Sequence, residues 1–134
     1  MAPRLLLDTH ILVWSRTNVA RLNRAHAATL VKAEEAGAIL FISAITLREI
    51  AMLMSRGRIE TAISLDQLFA DIEQHPRITV LPITAQIAAD SVRLGPSAPR
   101  DPADQIIIAT ARCHSLSLMT EDATIRAYSG VALA

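Results

Sequence analysis

The sequence is poor in cysteine, lysine and aromatic residues, and each shortage excludes a class of protein. Cys113 is the only cysteine in 134 residues, so an intrachain disulfide is excluded and a reducing compartment is expected. Lys32 is the only lysine, which excludes a receiver domain because that class needs a lysine near a late strand. Aromatic residues make up 3% of the chain, too few for the base-stacking platform of a single-strand binder.

Long apolar runs and an excess of charge are also missing. No run approaches the roughly 18 to 20 apolar residues that cross a bilayer, and Asp8 interrupts the apolar N-terminal stretch where a signal peptide needs continuity. We therefore expect a cytoplasmic protein without a membrane partner. The 13 basic residues balance 13 acidic ones, so net charge favours no class of partner. A hydrophobic content of 51% and the chain length predict one domain over residues 1–134.

Hydrophobic spacing predicts the fold class. Short apolar runs, each bounded by polar or turn residues, predict buried strands at 4–7, 38–42, 78–81 and 116–119, with a last short strand at 131–133. Helical spacing occurs at 23–36, 44–56, 65–75, 85–94 and 102–114. Because the strands lack polar alternation and alternate with helices, we expect a three-layer α/β/α sandwich around a parallel sheet of four to five strands.

Carboxylates follow the predicted strands at the positions where parallel sheets bind ligands. Asp8 comes directly after the first strand, with the hydroxyl of Thr9 beside it. Glu49 lies about a turn and a half inside the helix that follows the second strand. Asp104 lies near the start of a late helix, and Asp122 follows the fourth strand. These four acidic residues are the candidate site.

Each acidic residue also has a structural explanation. Asp8 and Asp122 are suited to cap the helices that follow them. Asp101 precedes Pro102, which is the usual pattern of a helix start, so the capping role is favoured for Asp101. Glu49 could be a solvated helix residue, but apolar residues three and four positions away argue against that interpretation.

If the predicted fold is right, Asp8, Glu49, Asp104 and Asp122 converge on one edge of the sheet. Clustered carboxylates repel one another, so some must be protonated or a cation must neutralise them. A site made only of carboxylate oxygens selects a hard divalent ion, Mg²⁺ or Mn²⁺. Such an ion is suited to activating water for attack on a phosphodiester. The histidines lack the spacing of a zinc site, and no nucleotide-binding or nucleophile-elbow motif is present.

Four segments in this order resemble the PIN domain, and within it the VapC-type toxins of bacterial toxin–antitoxin pairs. The segments are LLLDTHILVW, ISAITLREIAML, DPADQIIIATA preceded by LPIT, and LSLMTEDATIRAY. The resemblance implies a Mg²⁺- or Mn²⁺-dependent endoribonuclease that acts on RNA, with tRNA among the targets. The four carboxylates named above match the acidic residues of the family. Asp101 matches the first Asp of its DPxD variant, and Thr9 and Thr120 match its hydroxyl positions.

The resemblance also implies partners: a cognate VapB-like antitoxin and a second copy of the chain in a homodimer. The antitoxin is expected to lay an amphipathic segment on the helix near residues 44–54. Candidate phosphate contacts are Arg48, Arg56, Arg58 and Arg100. The chain departs from the family pattern at Arg48 and Gln105, where Trp and Arg are frequent. Two alternatives stay open at this point: a PIN-like structure-specific DNA nuclease, and a noncatalytic α/β binding module.

Overall fold

Helices and strands alternate along the chain in the computed structural model, which describes residues 4–134. The strands are β1 (Leu5–Leu7), β2 (Leu40–Ser43), β3 (Ile78–Leu81) and β4 (Ser117–Met119). The helices are α1 (Thr9–Thr17), α2 (Arg24–Glu35), α3 (Ala44–Ser55), α4 (Leu65–Gln74), α5 (Ala85–Ser91), α6 (Pro102–Cys113) and α7 (Ala123–Arg126), with a 3₁₀ turn at Val19–Arg21. In the described part of the chain, every helix is too short or too polar to span a membrane.

The four strands form one sheet in the order β3-β2-β1-β4, and all neighbouring strands are parallel. Strand β1 is therefore central, with Leu6 opposite Phe41 of β2 and Leu118 of β4. Parallel pairing brings the carboxyl ends of the strands to one edge of the sheet. The backbone N–H of Asp8 extends the ladder by donating to the carbonyl of Met119 at 3.0 Å.

Side chains of β1 pack alternately on the two faces of the sheet. Leu5 and Leu7 belong to the core formed with α1, α2, α3 and α4. Leu6 belongs to the core formed with α6 and α7, which includes Ile107 and Ile125. All three leucines of β1 are fully buried. Because both faces of the sheet are covered by helices, the predicted three-layer α/β/α architecture is confirmed.

Three details differ from the sequence prediction. The strand expected at 131–133 is wrong as a strand: it makes an isolated parallel bridge, Leu118 to Leu133. Within residues 4–134, two backbone hydrogen bonds join this segment to β4: the N–H of Leu118 donates to the carbonyl of Ala132, and the N–H of Ala134 donates to the carbonyl of Leu118. Helix α5 ends at Ser91, since the chain turns there and brings Leu94 into the core. Helix α1 lies outside the segments with helical spacing, and the sequence indicates it only through Asp8, which is suited to cap a helix there.

Candidate functional site

The carboxylate of Asp8 is buried at the carboxyl end of the central strand. Its side chain caps α1 by accepting the backbone N–H of Thr9 at 2.8 Å, and its other oxygen accepts the hydroxyl of Thr120 at 2.7 Å. Burial raises the pKa of Asp8, although these two hydrogen bonds and the nearby His10 act in the opposite direction. The capping role expected for Asp8 is confirmed, and it leaves the carboxylate at the sheet edge where a ligand would bind.

Glu49 of α3 is tied to α1 through the hydroxyl of Thr9, which also contacts the hydroxyl of Thr46 one turn earlier on α3. The hydroxyl of Thr9 donates to Oε1 of Glu49 at 2.5 Å. Thr9 has one hydroxyl proton, so the 3.1 Å contact between the Thr9 and Thr46 hydroxyls must have Thr46 as donor. Burial raises the pKa of Glu49, and the charges of Asp8 and Asp101 raise it further. Glu49 is therefore a half-buried acid held in position, as its apolar sequence neighbours indicated.

Thr120 joins Asp8 to the segment that carries Asp122. Its hydroxyl donates to Asp8 and accepts the backbone N–H of Asp122 at 3.0 Å. Asp122 caps α7 by accepting the N–H of Ile125 at 3.0 Å and also accepts the hydroxyl of Thr124. Partial burial raises the pKa of Asp122, but the hydrogen bonds from Thr124 and Ile125 outweigh it and lower the pKa below its ordinary value.

Asp101 and Asp104 begin helix α6 and have different environments. Asp101 is exposed and accepts the N–H of Ala103 at 3.1 Å, which confirms it as the N-cap. Asp104 is half-buried in the first turn. Burial raises the pKa of Asp104 to about 7, and the charges of Asp101, Asp8, Asp122 and Glu49 add to the shift. Each of the four acidic neighbours thus repels a negative charge on Asp104. The fold provides no cation among these groups to offset that repulsion.

The donor chemistry of this edge fits a hard divalent cation, because it offers carboxylate and hydroxyl oxygens and disfavours its own negative charge. The side chains are less compact than in a finished metal centre. Within residues 4–134, no three His, Cys, Asp or Glu side chains form a group that could hold a metal ion as they stand. Because Mg²⁺ usually keeps several of its waters, water would complete the shell of an ion held by one or two of these carboxylates.

The arginines proposed from the sequence as phosphate contacts are all exposed. Arg58 lines a groove beside α1 together with His10 and Trp14. Arg48 lies along α3, with its guanidinium 3.8 Å from the sulfur of Met52. A phosphate contact stays a prediction for each of Arg48, Arg56, Arg58 and Arg100.

Sequence reasoning missed two residues at this edge, and the structure also explains Gln105. Thr46 lies one turn before Glu49 on the same face of α3, a spacing that could have identified it. The charge of His10 lowers the pKa of both Asp8 and Asp122. This relation depends on the pairing of β1 with β4, two strands that lie far apart in the sequence. Gln105 donates to the carbonyl of Pro99 at 2.9 Å and so fixes the loop before α6.

Comparison with known proteins gives consistent matches over most of the chain. A sequence model described as "PIN domain" matches residues 5–131. Ribonuclease VapC22 of Mycobacterium tuberculosis is 35% identical over 123 residues, which are 92% of this chain and 90% of that protein.

Solved structures are also similar to this chain over most of its length. FitAcB from Neisseria gonorrhoeae is similar with a TM-score of 0.67 and 25% identity, covering 96% of this chain and 95% of the other. A toxin–antitoxin complex from Klebsiella pneumoniae has a TM-score of 0.59 and 25% identity, covering 88% and 86%.

Asp104→Asn is expected to stabilise the protein at pH 8 in the presence of a chelator, and to have little effect near pH 4. The pKa of Asp104 is raised from 3.8 to about 7, so the folded state binds this proton more tightly than the unfolded chain. The native protein therefore becomes less stable, relative to the Asn variant, as pH rises through about 7. Because solvent screens this partly exposed group, we expect a gain of about 1 to 2 kcal/mol. Urea unfolding at both pH values measures it, with Glu73→Gln on the exposed face of α4 as control. An equal gain at both pH values would contradict the assignment.

Asp101→Ala is expected to be less stable than Asp101→Asn by about 0.5 to 2 kcal/mol. Asparagine keeps the side-chain oxygen that caps α6 and removes the charge, whereas alanine removes both. The difference between the two variants therefore isolates the cap from the repulsion that Asp101 exerts on Asp104. Thermal or urea unfolding measures it, and equal stability of the two variants would show that the cap contributes nothing.

Proposed function

Because the chain belongs to the PIN domain family, we propose that it is an endoribonuclease toxin that hydrolyses RNA phosphodiester bonds with Mg²⁺ or Mn²⁺. Similarity to Ribonuclease VapC22 over 92% of the chain supports the ribonuclease activity. The site observation that carries the proposal is that four acidic side chains lie around the half-buried Asp104 and add to the pKa shift that burial causes: Asp101, Asp8, Asp122 and Glu49. A divalent cation is the natural counter-charge for such a set of oxygens.

The proposed roles follow from how each acid is held. Asp8, Glu49, Asp104 and Asp122 would hold the ion, with Asp101 supporting the start of α6. When bound, a divalent ion lowers the pKa of water and stabilises negative charge on a phosphate. Two of the acids have restricted rotation: the hydroxyl of Thr120 holds Asp8, and the hydroxyl of Thr9 holds Glu49. These threonines are positioning residues, because they orient carboxylates that would otherwise turn away from one another.

Hydrolysis at this edge leaves the 3′ oxygen as the leaving group, so products with 5′-phosphate and 3′-hydroxyl ends are expected. The RNA class proposed is structured RNA such as tRNA. The proposal includes a single PIN domain over 1–134, which a family match over residues 5–131 supports. It also includes a cytoplasmic location, which the lone cysteine supports.

We further propose a small VapB-like antitoxin and a homodimer as partners. The known toxin–antitoxin complex from Klebsiella pneumoniae supports the pairing. In α3 only Thr46 and Ile50 are buried, although the helix is rich in apolar residues, so its half-exposed side chains offer an apolar surface. An amphipathic antitoxin segment would cover that surface, and a basic side chain would reach the carboxylates.

Purified protein is expected to cleave RNA only when Mg²⁺ or Mn²⁺ is present. Asp8→Asn, Glu49→Gln and Asp104→Asn should each lower the rate by about 100-fold or more, the scale on which removal of one electrostatic group acts in an active site. Glu73→Gln, which removes an exposed charge outside the site, should cleave like the native chain. Gel assays with a chelator control measure the rate, and circular dichroism checks that each variant is folded.

The same assay separates the alternatives. Full cleavage by two of the three variants would remove the shared carboxylate site from the mechanism. Preference for flap DNA over RNA would favour the structure-specific DNA nuclease, and no cleavage of either with both metals would favour a noncatalytic binding module.

The antitoxin is expected to bind more weakly to Asp8→Asn and Asp104→Asn, because both variants reduce the negative charge that its basic side chain would meet. Co-purification with the product of the neighbouring gene identifies the partner, and titration calorimetry measures the affinity of each variant. Sedimentation of the free chain gives its oligomeric state. Affinity that is unaffected by both substitutions would contradict contact with the carboxylates.

A further inference from the structure

A groove of about 190 Å³ lies between α1 and the connection from α3 to α4. On the α1 side it is lined by His10 and Trp14, with Arg21 of the 3₁₀ turn beside them. Arg58 and Glu60 line the other side. Its lining combines rings, cations and polar groups, and so differs from the apolar surface of α3.

The rings of His10 and Trp14 lie side by side and tilted, and the guanidinium of Arg21 covers one face of the indole. The ring centroids of His10 and Trp14 are 5.5 Å apart with an angle of 51° between the planes. The guanidinium of Arg21 lies over the indole, 5.1 Å from its centroid. Unpaired bases stack both on aromatic rings and on guanidinium planes. This surface is far smaller than a base-stacking sheet, and it suits one or two bases.

The groove begins at the carboxylate edge. His10, which lines the groove, follows Asp8 by two residues in the first turn of α1. A strand whose phosphate lies at the carboxylates would therefore meet His10 first and Trp14 next, one helical turn further along α1.

The charges of the groove suit a backbone of phosphates. Arg21 and Arg58 are exposed cations with Glu60 as the one opposing acid among the lining residues. Thr17 and Asn18 add groups that can donate to and accept from base edges or ribose hydroxyls. Among the nine lining residues only Val13 and Ile59 are aliphatic, so an apolar peptide segment finds little to bury.

We propose that this groove binds the single-stranded stretch of RNA next to the scissile phosphate, with bases on the Trp14–Arg21 surface and phosphates at Arg21 and Arg58. The proposal rests on the proposed ribonuclease function and names the part of the substrate that the site grips. It makes unpaired RNA beside the cleaved bond a requirement, whereas a fully paired helix would not enter the groove.

Trp14 is the only tryptophan, so its fluorescence reports binding directly. A short oligouridylate added to the native chain in a chelating buffer should change the emission of Trp14, while a duplex RNA of equal length should not. Anisotropy of the labelled oligouridylate then gives the affinity of each variant. Arg58→Gln and Arg21→Gln should each weaken binding several-fold, and each should lower the slope of log affinity against log salt by about 0.7.

Two further variants serve as controls. Arg24→Gln removes an exposed cation of α2 outside the groove and should bind like the native chain. Glu60→Gln removes the opposing acid and should tighten binding. Circular dichroism confirms that the variants are folded.

Binding without any change in Trp14 emission would overturn the proposal, as would equal losses in Arg58→Gln and Arg24→Gln. A change in Trp14 emission with the antitoxin but none with the oligouridylate would assign the groove to a protein segment and also overturn it. Cleavage by the native chain with Mg²⁺ is scored separately. Cleavage by the native chain, together with unchanged binding by the groove variants, would overturn only the groove proposal. Binding in the groove without cleavage would overturn only the proposed ribonuclease function.

Discussion

Burying the carboxylate of Asp8 at the end of the central strand is the constraint on which the rest of the site depends. An ionised carboxyl loses its water there, so each of its oxygens must find a donor inside the protein. The backbone of Thr9 supplies one donor and the hydroxyl of Thr120 the other. The first donor belongs to helix α1 and the second lies at the end of β4. Asp8 therefore joins two elements that are far apart in the sequence.

Threonine hydroxyls repeat this arrangement around the second acid. Thr46 donates to Thr9, and Thr9 donates to Glu49, just as the N–H of Asp122 donates to Thr120 and Thr120 to Asp8. Each chain of donors ends on a carboxylate that burial pushes toward protonation. The protein therefore keeps its acidic residues close together although their repulsion lowers the free energy of unfolding. Such a loss of stability is common at ligand-binding sites.

Local signals account for what the sequence could predict. The buried strands, the caps at Asp8, Asp101 and Asp122, and the half-buried position of Glu49 all follow from neighbours within a few residues. Relations between distant segments were beyond that reach. His10 matters because the pairing of β1 with β4 brings Asp8 close to Asp122, and no local pattern gives that distance. The spacing of Thr46 to Glu49 is local, but the contact of Thr46 with Thr9 joins α3 to α1. The segment at 131–133 has the composition of a strand, but among the described residues it pairs with β4 at one bridge, Leu118 to Leu133.

The two walls of the groove beside the carboxylates differ in their distance along the chain from the acidic residues. Its α1 wall begins two residues after Asp8, so changes there disturb the acid itself. The opposite wall, with Arg58 and Glu60, belongs to the connection between α3 and α4, which carries none of the four carboxylates. Insertions and substitutions in that connection can accumulate between related chains without moving the acids. If the groove binds RNA as proposed, the choice of target can therefore change in this connection while the carboxylates stay in place.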